Sequence, residues 1–376
     1  MDEIHIGYLS DFGIIGSGYS SLSIPVCQGL AGLGYDVKAV ALEYRGEQHP
    51  YDFSLIPVSN LAEAEGTIRN LHKMWRIDIL IVALDIPAQI PLLRKLSDMQ
   101  LNYIGIFPVE ADPLCFSWAM ELMNMKKQFV ISEFGANECN KAGVPAEHIQ
   151  IGVDTESWRQ PEKEERDLFR NSFGFKDDTF VILTVADNQE RKNLVRSMEI
   201  VADFVKANLD VDVQYLMVTR EHLRVGWTLM DYAQVLGITA NMRIFERGLE
   251  FKKLWSMYAV ADCFLLSSKA EGLGLPLLEA MSVGIPCLAT NCTAIAELLA
   301  DGRGTLIDPL DHFDLRYIDP FGNANRYFAK RSHGLEQLQK IYDNRPDTTK
   351  AREYVESRTW DIPVAQLDKA IKELVE

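Results

Sequence analysis

The chain predicts an α/β protein built on two parallel sheets, and three observations carry that reading. Short apolar runs of strand length alternate with longer helix-like segments along its whole length, the pattern of strand–helix–strand units. At 376 residues there is chain enough for two domains of about 150–200 residues each. Residues 159–170 (RQPEKEERDLFR) interrupt the alternation with a highly charged stretch, as a linker or the first helix of a second domain would.

Before that stretch the candidate strands are residues 4–9, 37–42, 79–83, 103–107, 129–132 and 148–151, with helices between. After it they are residues 180–185, 213–218, 243–245, 263–267 and 287–290. Residues 364–375 (VAQLDKAIKELV) place apolar side chains near helical spacing and read as a final helix. Apolar content of 47% and charged content of 24% fit a soluble globular protein, and charged residues break every candidate 18-residue apolar run. Neither a membrane span nor a signal peptide is therefore expected. Six scattered cysteines show no zinc-type pairing; four sit in apolar surroundings, which points to buried thiols and a reducing cytoplasm. Seven dispersed histidines form no HExxH motif, so no protein metal site is expected. A net charge of −16 disfavours a broad grip on nucleic acid.

The most informative segment runs from Glu271 to Met281 (EGLGLPLLEAM). Residues 264–268 (FLLSS) read as a buried strand entering a polar loop, and Pro276 has the fixed φ suited to a first helical turn. In one continuous helix, eight steps of about 100° would set Glu271 and Glu279 roughly 80° apart. The Gly-x-Gly turn and Pro276 instead place Glu271 on the loop and Glu279 inside the helix, so that both can face one cleft at a strand's carboxyl end. The N–H groups of Gly274 and Leu275 and the positive end of the helix dipole favour a phosphate there. Carboxylates beside it need donors, and sugar hydroxyls supply them. The plain alternative is a loop acid and a solvated helix face.

Residues 267–291 (SSKAEGLGLPLLEAMSVGIPCLATN) resemble, almost residue for residue, the E-x7-E signature of retaining GT-B glycosyltransferases. The resemblance implies two Rossmann-like domains facing across a cleft, with a C-terminal helix crossing back to the first. On that reading residues 1–155, joined by the helix 361–376, form the acceptor-side domain, and residues 156–360 form the donor side. Trp360 would suit the crossover. The donor would be a nucleoside-diphosphate sugar, linked to UDP or GDP, with no permanently bound cofactor and no required metal. Glu279 would hold the donor ribose. Glu271 and the amides of Gly272, Leu273, Gly274 and Leu275 would lie beside the donor sugar and its phosphates.

Three further constellations extend the resemblance. The first strand–helix turn carries Gly13, Gly16 and Gly18, with Ser20 or Ser21 as a possible helix cap. It is similar to the family's N-terminal glycine loop, which reaches donor phosphates and acceptor; its spacing lacks the dinucleotide fingerprint and the resembled family uses no redox cofactor, so NAD is not expected. Residues 180–193 end a buried strand in Asp187, Arg191 and Lys192. Fixed cations there would stabilise a departing diphosphate more than the ground state. Lys192 falls on the family lysine; Asp187 occupies the usual place of the family arginine, with Arg191 as its candidate substitute. Finally, Gly152, Val153 and Asp154 fit the family's interdomain turn, preceded by Ile151 where a histidine is common. In the first-domain loop, where many members carry a histidine, residues 107–113 (FPVEADP) leave Glu110 and Asp112 as the ionisable candidates. Glu297 resembles an acid of a second small turn, or caps a helix.

The function implied is transfer of a sugar, with retention, to a glycan, glycoside or small metabolite. Three alternatives stay open. They are a GT-B protein that binds nucleotide sugar without transfer, a transferase acting on nucleic acid, and a phosphorylase-like enzyme with lysine-linked pyridoxal phosphate, for which no motif is seen.

Overall fold

The computed structural model describes residues 3–13, 18–110, 112–221, 226–310 and 324–376. They divide into two units. The first holds the described residues up to Gly152, with Ala324 and residues 358–376; the second holds those from Val153 to residue 310 and residues 325–357.

The first unit carries seven strands: β1 (His5–Asp11), β2 (Asp36–Leu42), β3 (Ser54–Val58), β4 (Ile79–Ala83), β5 (Asn102–Phe107), β6 (Lys127–Val130) and β7 (Ala146–His148). They pair in parallel in the order β3-β2-β1-β4-β5-β6-β7. The second unit carries β8 (Phe180–Val185), β9 (Val213–Thr219), β10 (Met242–Glu246), β11 (Cys263–Leu266), β12 (Cys287–Thr290) and β13 (Thr305–Ile307). Their parallel order is β10-β9-β8-β11-β12-β13. Both sheets grow outward from their first strand and then restart on its other side. The place where the order reverses, β1/β4 in one sheet and β8/β11 in the other, is where such sheets bind ligands at their carboxyl ends.

The residues explain the order. Every side chain of β4 (ILIVA) is buried, as suits a strand covered on both faces. A hydroxyl ties each reversal point together: Ser10 of β1 donates to the Ala83 carbonyl of β4 (2.8 Å), and Thr184 of β8 donates to the Leu265 carbonyl of β11 (2.6 Å). In the first unit the core runs from Leu9, Val40 and Ile68 through Leu80 and Val82 to Phe107 and Val130.

Two strands lie outside the sequence expectation, β3 and β13, and both are sheet edges. Half-exposed side chains and Pro57 disguise β3, since proline is tolerated only where no ladder donor is needed; β13 is three residues long. Other boundaries move. The run expected at 148–151 is strand only over Ala146–His148, because the Gln150 amide turns to the Gln366 side chain (3.2 Å). Ser132, expected to end a strand, instead caps the helix Glu133–Lys141 by accepting from the Gly135 amide (3.2 Å). Ser20 and Ser21 are no caps: the first helix, α1 (Gly18–Gly32), already contains both, and the Ser20 hydroxyl donates to the Asp11 and Gly13 carbonyls. The charged stretch at 159–170 leads into a helix over Lys163–Phe173. Five cysteines are buried rather than four, Cys115 being half-buried.

The last helix, Asp361–Val375, belongs to the first unit and packs against α1. Gly29 permits the approach, since a Cβ there would lie 2.3 Å from Val364, and Tyr35 donates to Asp368 (2.7 Å). Trp360, at its start, covers Gly152 so closely that a Cβ at that glycine would sit 2.6 Å from the indole.

Candidate functional site

At the reversal point of the second sheet, β8 runs out into residues 186–193 and β11 into residues 267–274. A short 3-10 turn, Glu190–Lys192, follows β8 and leads into the helix Leu194–Ala207. Asn193 joins the two in the left-handed conformation (φ 50°), which asparagine tolerates better than most residues. Ser267 locks the two loops together by donating to the Asn193 carbonyl (2.8 Å) and meeting the Ser197 hydroxyl (2.6 Å).

Glu271 lies on the loop and is 4% exposed. Lys192 reaches both of its carboxylate oxygens (2.7 and 2.8 Å), and Arg191 donates to Oε2 (3.0 Å) and to the Ala270 carbonyl (2.6 Å). Burial opposes the charge on Glu271, but Lys192 and then Arg191 more than offset it and hold its pKa down at about 2. Thr293 secures the backbone: its hydroxyl accepts from the Glu271 amide (2.9 Å) and donates to the Glu271 carbonyl (3.0 Å). Two cations and one buried carboxylate thus form a fixed cluster of net charge +1.

Gly272, Leu273 and Gly274 are buried in the same loop. Gly274 adopts φ 95°, open to glycine and strained for other residues, and immediately precedes the helix Leu275–Val283 with Pro276 in its first turn. Glu279 stands in that helix, half-buried, and accepts a 2.5 Å hydrogen bond from Tyr258. Burial pushes its pKa up to about 7, with the Tyr258 bond pulling the other way. The two acids of the motif are therefore set apart electrostatically, Glu271 firmly ionised and Glu279 poised near neutrality.

Asp187 is also buried, and its partners are Arg220 and Arg247, which follow β9 and β10. Arg220 donates through Nε (2.8 Å) and Nη2, and Arg247 stands 3.6 Å away. Burial opposes the Asp187 charge, while Arg220 and then Arg247 hold the carboxyl below its usual range. Arg191 and Asp187 thus serve different partners.

The first sheet has its own reversal point. Gly18 opens α1, and Tyr19 beside it donates to Asp85 (2.6 Å), which follows β4. Glu110 follows β5, half-buried, close enough that its charge adds to burial and to Asp85 in raising the Tyr19 phenol. Gly16 lies outside the described residues. Glu297 sits near the end of the helix Thr293–Leu298, so it caps no helix start.

Sequence reasoning missed Thr293, Tyr258 and Arg220. Each reaches its acid from another element, 21 to 33 residues away, with no local signal. Among the described residues one group has metal-like spacing, Glu3, His5 and Asp36. There His5 Nδ1 meets the Trp75 carbonyl (2.6 Å) and Asp36 accepts from the Trp75 indole (2.9 Å), so both are engaged in packing that tryptophan.

Residues 165–316 match the family described as glycosyl transferases group 1. The matched stretch contains β8 to β13 and the whole Lys192–Glu271–Glu279 constellation. Among curated proteins, N-acetyl-alpha-D-glucosaminyl L-malate synthase of Bacillus anthracis is 25% identical over 169 residues, 44% of this chain and 42% of that protein. The chain thus aligns with about two fifths of that relative's length. Among solved structures, a glycosyltransferase from Rickettsia africae superposes with a TM-score of 0.77 at 14% identity, covering 100% of both chains. HepE of Anabaena, solved in complex with UDP and glucose, superposes with a TM-score of 0.72 at 13% identity over 99% of this chain and 100% of its own. The fold is that of GT-B glycosyltransferases, two Rossmann-like parallel-sheet domains. No helix among the described residues is long and apolar enough to cross a membrane.

Proposed function

We propose that the chain is a retaining glycosyltransferase that moves a sugar from a nucleoside diphosphate to a hydroxyl of a glycan, glycoside or small metabolite. The observation that carries this reading is the seating of Lys192 and Arg191 on Glu271 at the reversal point of the second sheet, eight residues before Glu279. Cations already fixed in place need no reorganisation when charge develops on a leaving group. In the reaction the bond from the anomeric carbon to the diphosphate breaks, and the acceptor oxygen bonds to that carbon on the same face. The acceptor's proton passes to the departing phosphate oxygen. Lys192 and Arg191 stabilise that oxygen's growing charge, and the start of the helix Leu275–Val283 adds its dipole.

Glu271 keeps the two cations positioned and orients hydroxyls of the donor sugar, while Glu279 accepts from the donor ribose. The second unit is on this reading the donor side. The first is the acceptor side, with Gly18 and Glu110 at its mouth. The net charge of −16 favours an acceptor other than nucleic acid, and five buried free thiols suit a reducing cytoplasm.

The test is a thermal-shift screen against UDP, GDP, ADP and their sugar conjugates, with and without magnesium, followed by turnover assays. UDP comes first, because HepE of the same fold was solved with it. A nucleotide that binds only the folded state must raise the transition temperature. Absence of any shift, or full turnover in both Glu271→Ala and Lys192→Ala, refutes the proposal. Donor binding with neither transfer nor hydrolysis would make the protein a nucleotide-sugar sensor instead.

A further inference from the structure

Lys269 is a lysine where the surroundings give no obvious place for one. It lies two residues before Glu271, between strand β11 and the glycine turn, and is only 3% exposed. A buried ammonium is costly unless paired, and this one is paired with Glu190, the first residue of the turn that carries Arg191 and Lys192. Its Nζ also stands 4.4 Å from the centre of the Phe328 ring. The backbone repeats the connection: the Lys269 amide donates to the Arg191 carbonyl (2.8 Å), and the Lys269 carbonyl accepts from the Tyr327 amide (2.9 Å).

Three segments distant in sequence therefore converge on one residue: the Glu190–Lys192 turn, the loop leading to Glu271, and residues 326–328. We infer that Lys269 is a positioning residue for the two cations, holding the Glu190–Lys192 turn in place against Glu271. This inference rests on the donor reading above. Lys269 does not reach the ligand in this account; it acts through Glu190 and through the Arg191 carbonyl. Glu271 and Ser267 hold the far end of the turn, and Lys269 holds its start. A 3-10 turn of three residues has little hydrogen bonding of its own, and it must keep two mutually repelling cations side by side. Burial, reinforced by the Arg326 charge, lowers the Lys269 pKa to about 8, so the ammonium depends on its carboxylate partner to stay charged there.

The experiment is titration of the full chain with UDP and with GDP by calorimetry, in four variants beside the wild type. Lys192→Met removes a direct contact, Lys269→Met removes the clamp's charge but keeps its stem, Lys269→Arg restores charge, and Glu190→Gln breaks the clamp from its exposed side. A slackened turn should weaken nucleotide binding about tenfold, the equivalent of about 1.4 kcal/mol, in Lys269→Met and in Glu190→Gln. A fifth variant combining Lys269→Met with Glu190→Gln should be no worse than either single one, since both cut the same link. Lys269→Arg should recover most of the loss, which a purely structural lysine in a tight site would not show.

Wild-type affinity in both Glu190→Gln and Lys269→Met, alongside weakened Lys192→Met, overturns the inference and leaves the donor reading intact. If Lys192→Met also binds like wild type, or if the wild type binds neither nucleotide, the donor reading fails and this inference with it. Should Lys269→Met not fold, Glu190→Gln decides alone.

Discussion

The two units share one strand order and hold opposite chemistry at the same topological place. In each, the first strand and the strand that restarts the sheet lie side by side, tied by a hydroxyl from one to a carbonyl of the other. At the mouth of the first sheet the groups that converge are Asp11, Tyr19, Asp85 and Glu110, with Tyr19 donating to Asp85 and the Gly13 amide donating to Asp11 (2.8 Å). At the mouth of the second they are Arg191, Lys192 and Glu271, with Arg220, Arg247 and Asp187 across the next strands. The fold supplies the place, and the side chains decide whether it favours an anion. One mouth is acidic and suits hydroxyl donors; the other is cationic around buried carboxylates and suits phosphates.

The largest way to break this contrast is at the second mouth. Lys192→Ala and Glu271→Ala should each cut transfer by about 10²–10³, the scale of losing one preorganised group that meets transition-state charge. Single-turnover assays with the donor identified by thermal shift would measure it. A loss below about fivefold for both would mean that the cation cluster is structural.

Gly152→Ala probes the first unit instead. The new Cβ would strike the Trp360 indole, so the tryptophan at the start of the last helix must move. We expect a loss of about 1–3 kcal/mol by denaturant titration, the usual cost of overpacking. Donor affinity should be unchanged, because the phosphate-favouring mouth belongs to the other unit.

Glu279 separates stability from binding. Its folded pKa of about 7 lies above the unfolded value, so between about pH 4.5 and pH 7 the folded state holds more protons than the unfolded. The sign follows: this group's contribution is most favourable below that window and declines as pH rises through 7. Glu271 behaves oppositely, its contribution being present above about pH 4.5 and lost as pH falls toward 2. Glu279→Gln should therefore stabilise the protein at pH 8 by about 1–2 kcal/mol, allowing for screening by solvent, while weakening nucleotide binding. Thermal melts at pH 5 and pH 8, each with and without nucleotide, would show both effects. Equal melting differences at the two pH values would contradict the account.

The smallest expected effect sharpens the comparison from the other side. Asp85→Asn at the first mouth should leave nucleotide affinity within about twofold of wild type, because the cations that favour a phosphate belong to the other unit and Asp85 pairs with none of them. A larger loss would show that the first mouth also meets the donor.

Much of this was legible in the order of residues, and the reason is local. Buried parallel strands such as residues 79–83 and 180–185 are continuous or nearly continuous apolar runs, and they appear where those runs stand. Gly274 and Pro276 dictate that Glu271 is on a loop and Glu279 on a helix, because glycine alone takes φ 95° without strain and proline suits a first turn. The edge strands β3 and β13 escaped, since half-exposed or three-residue strands leave too weak a pattern.

What the sequence by itself determined was the alternation of elements, the placing of two acids on different backbone types, and a pair of adjacent cations after a strand. Only the tertiary structure decided that those cations, 79 and 80 residues away, close on Glu271, because that depends on β8 and β11 becoming neighbours across the reversal of the sheet. It likewise decided that Asp187 belongs to Arg220, that Tyr258 meets Glu279, and that Lys269 is buried beneath the cation turn. Local preference is written residue by residue, whereas a charge's partner and its pKa are set by strand order and burial, which the chain acquires only by folding.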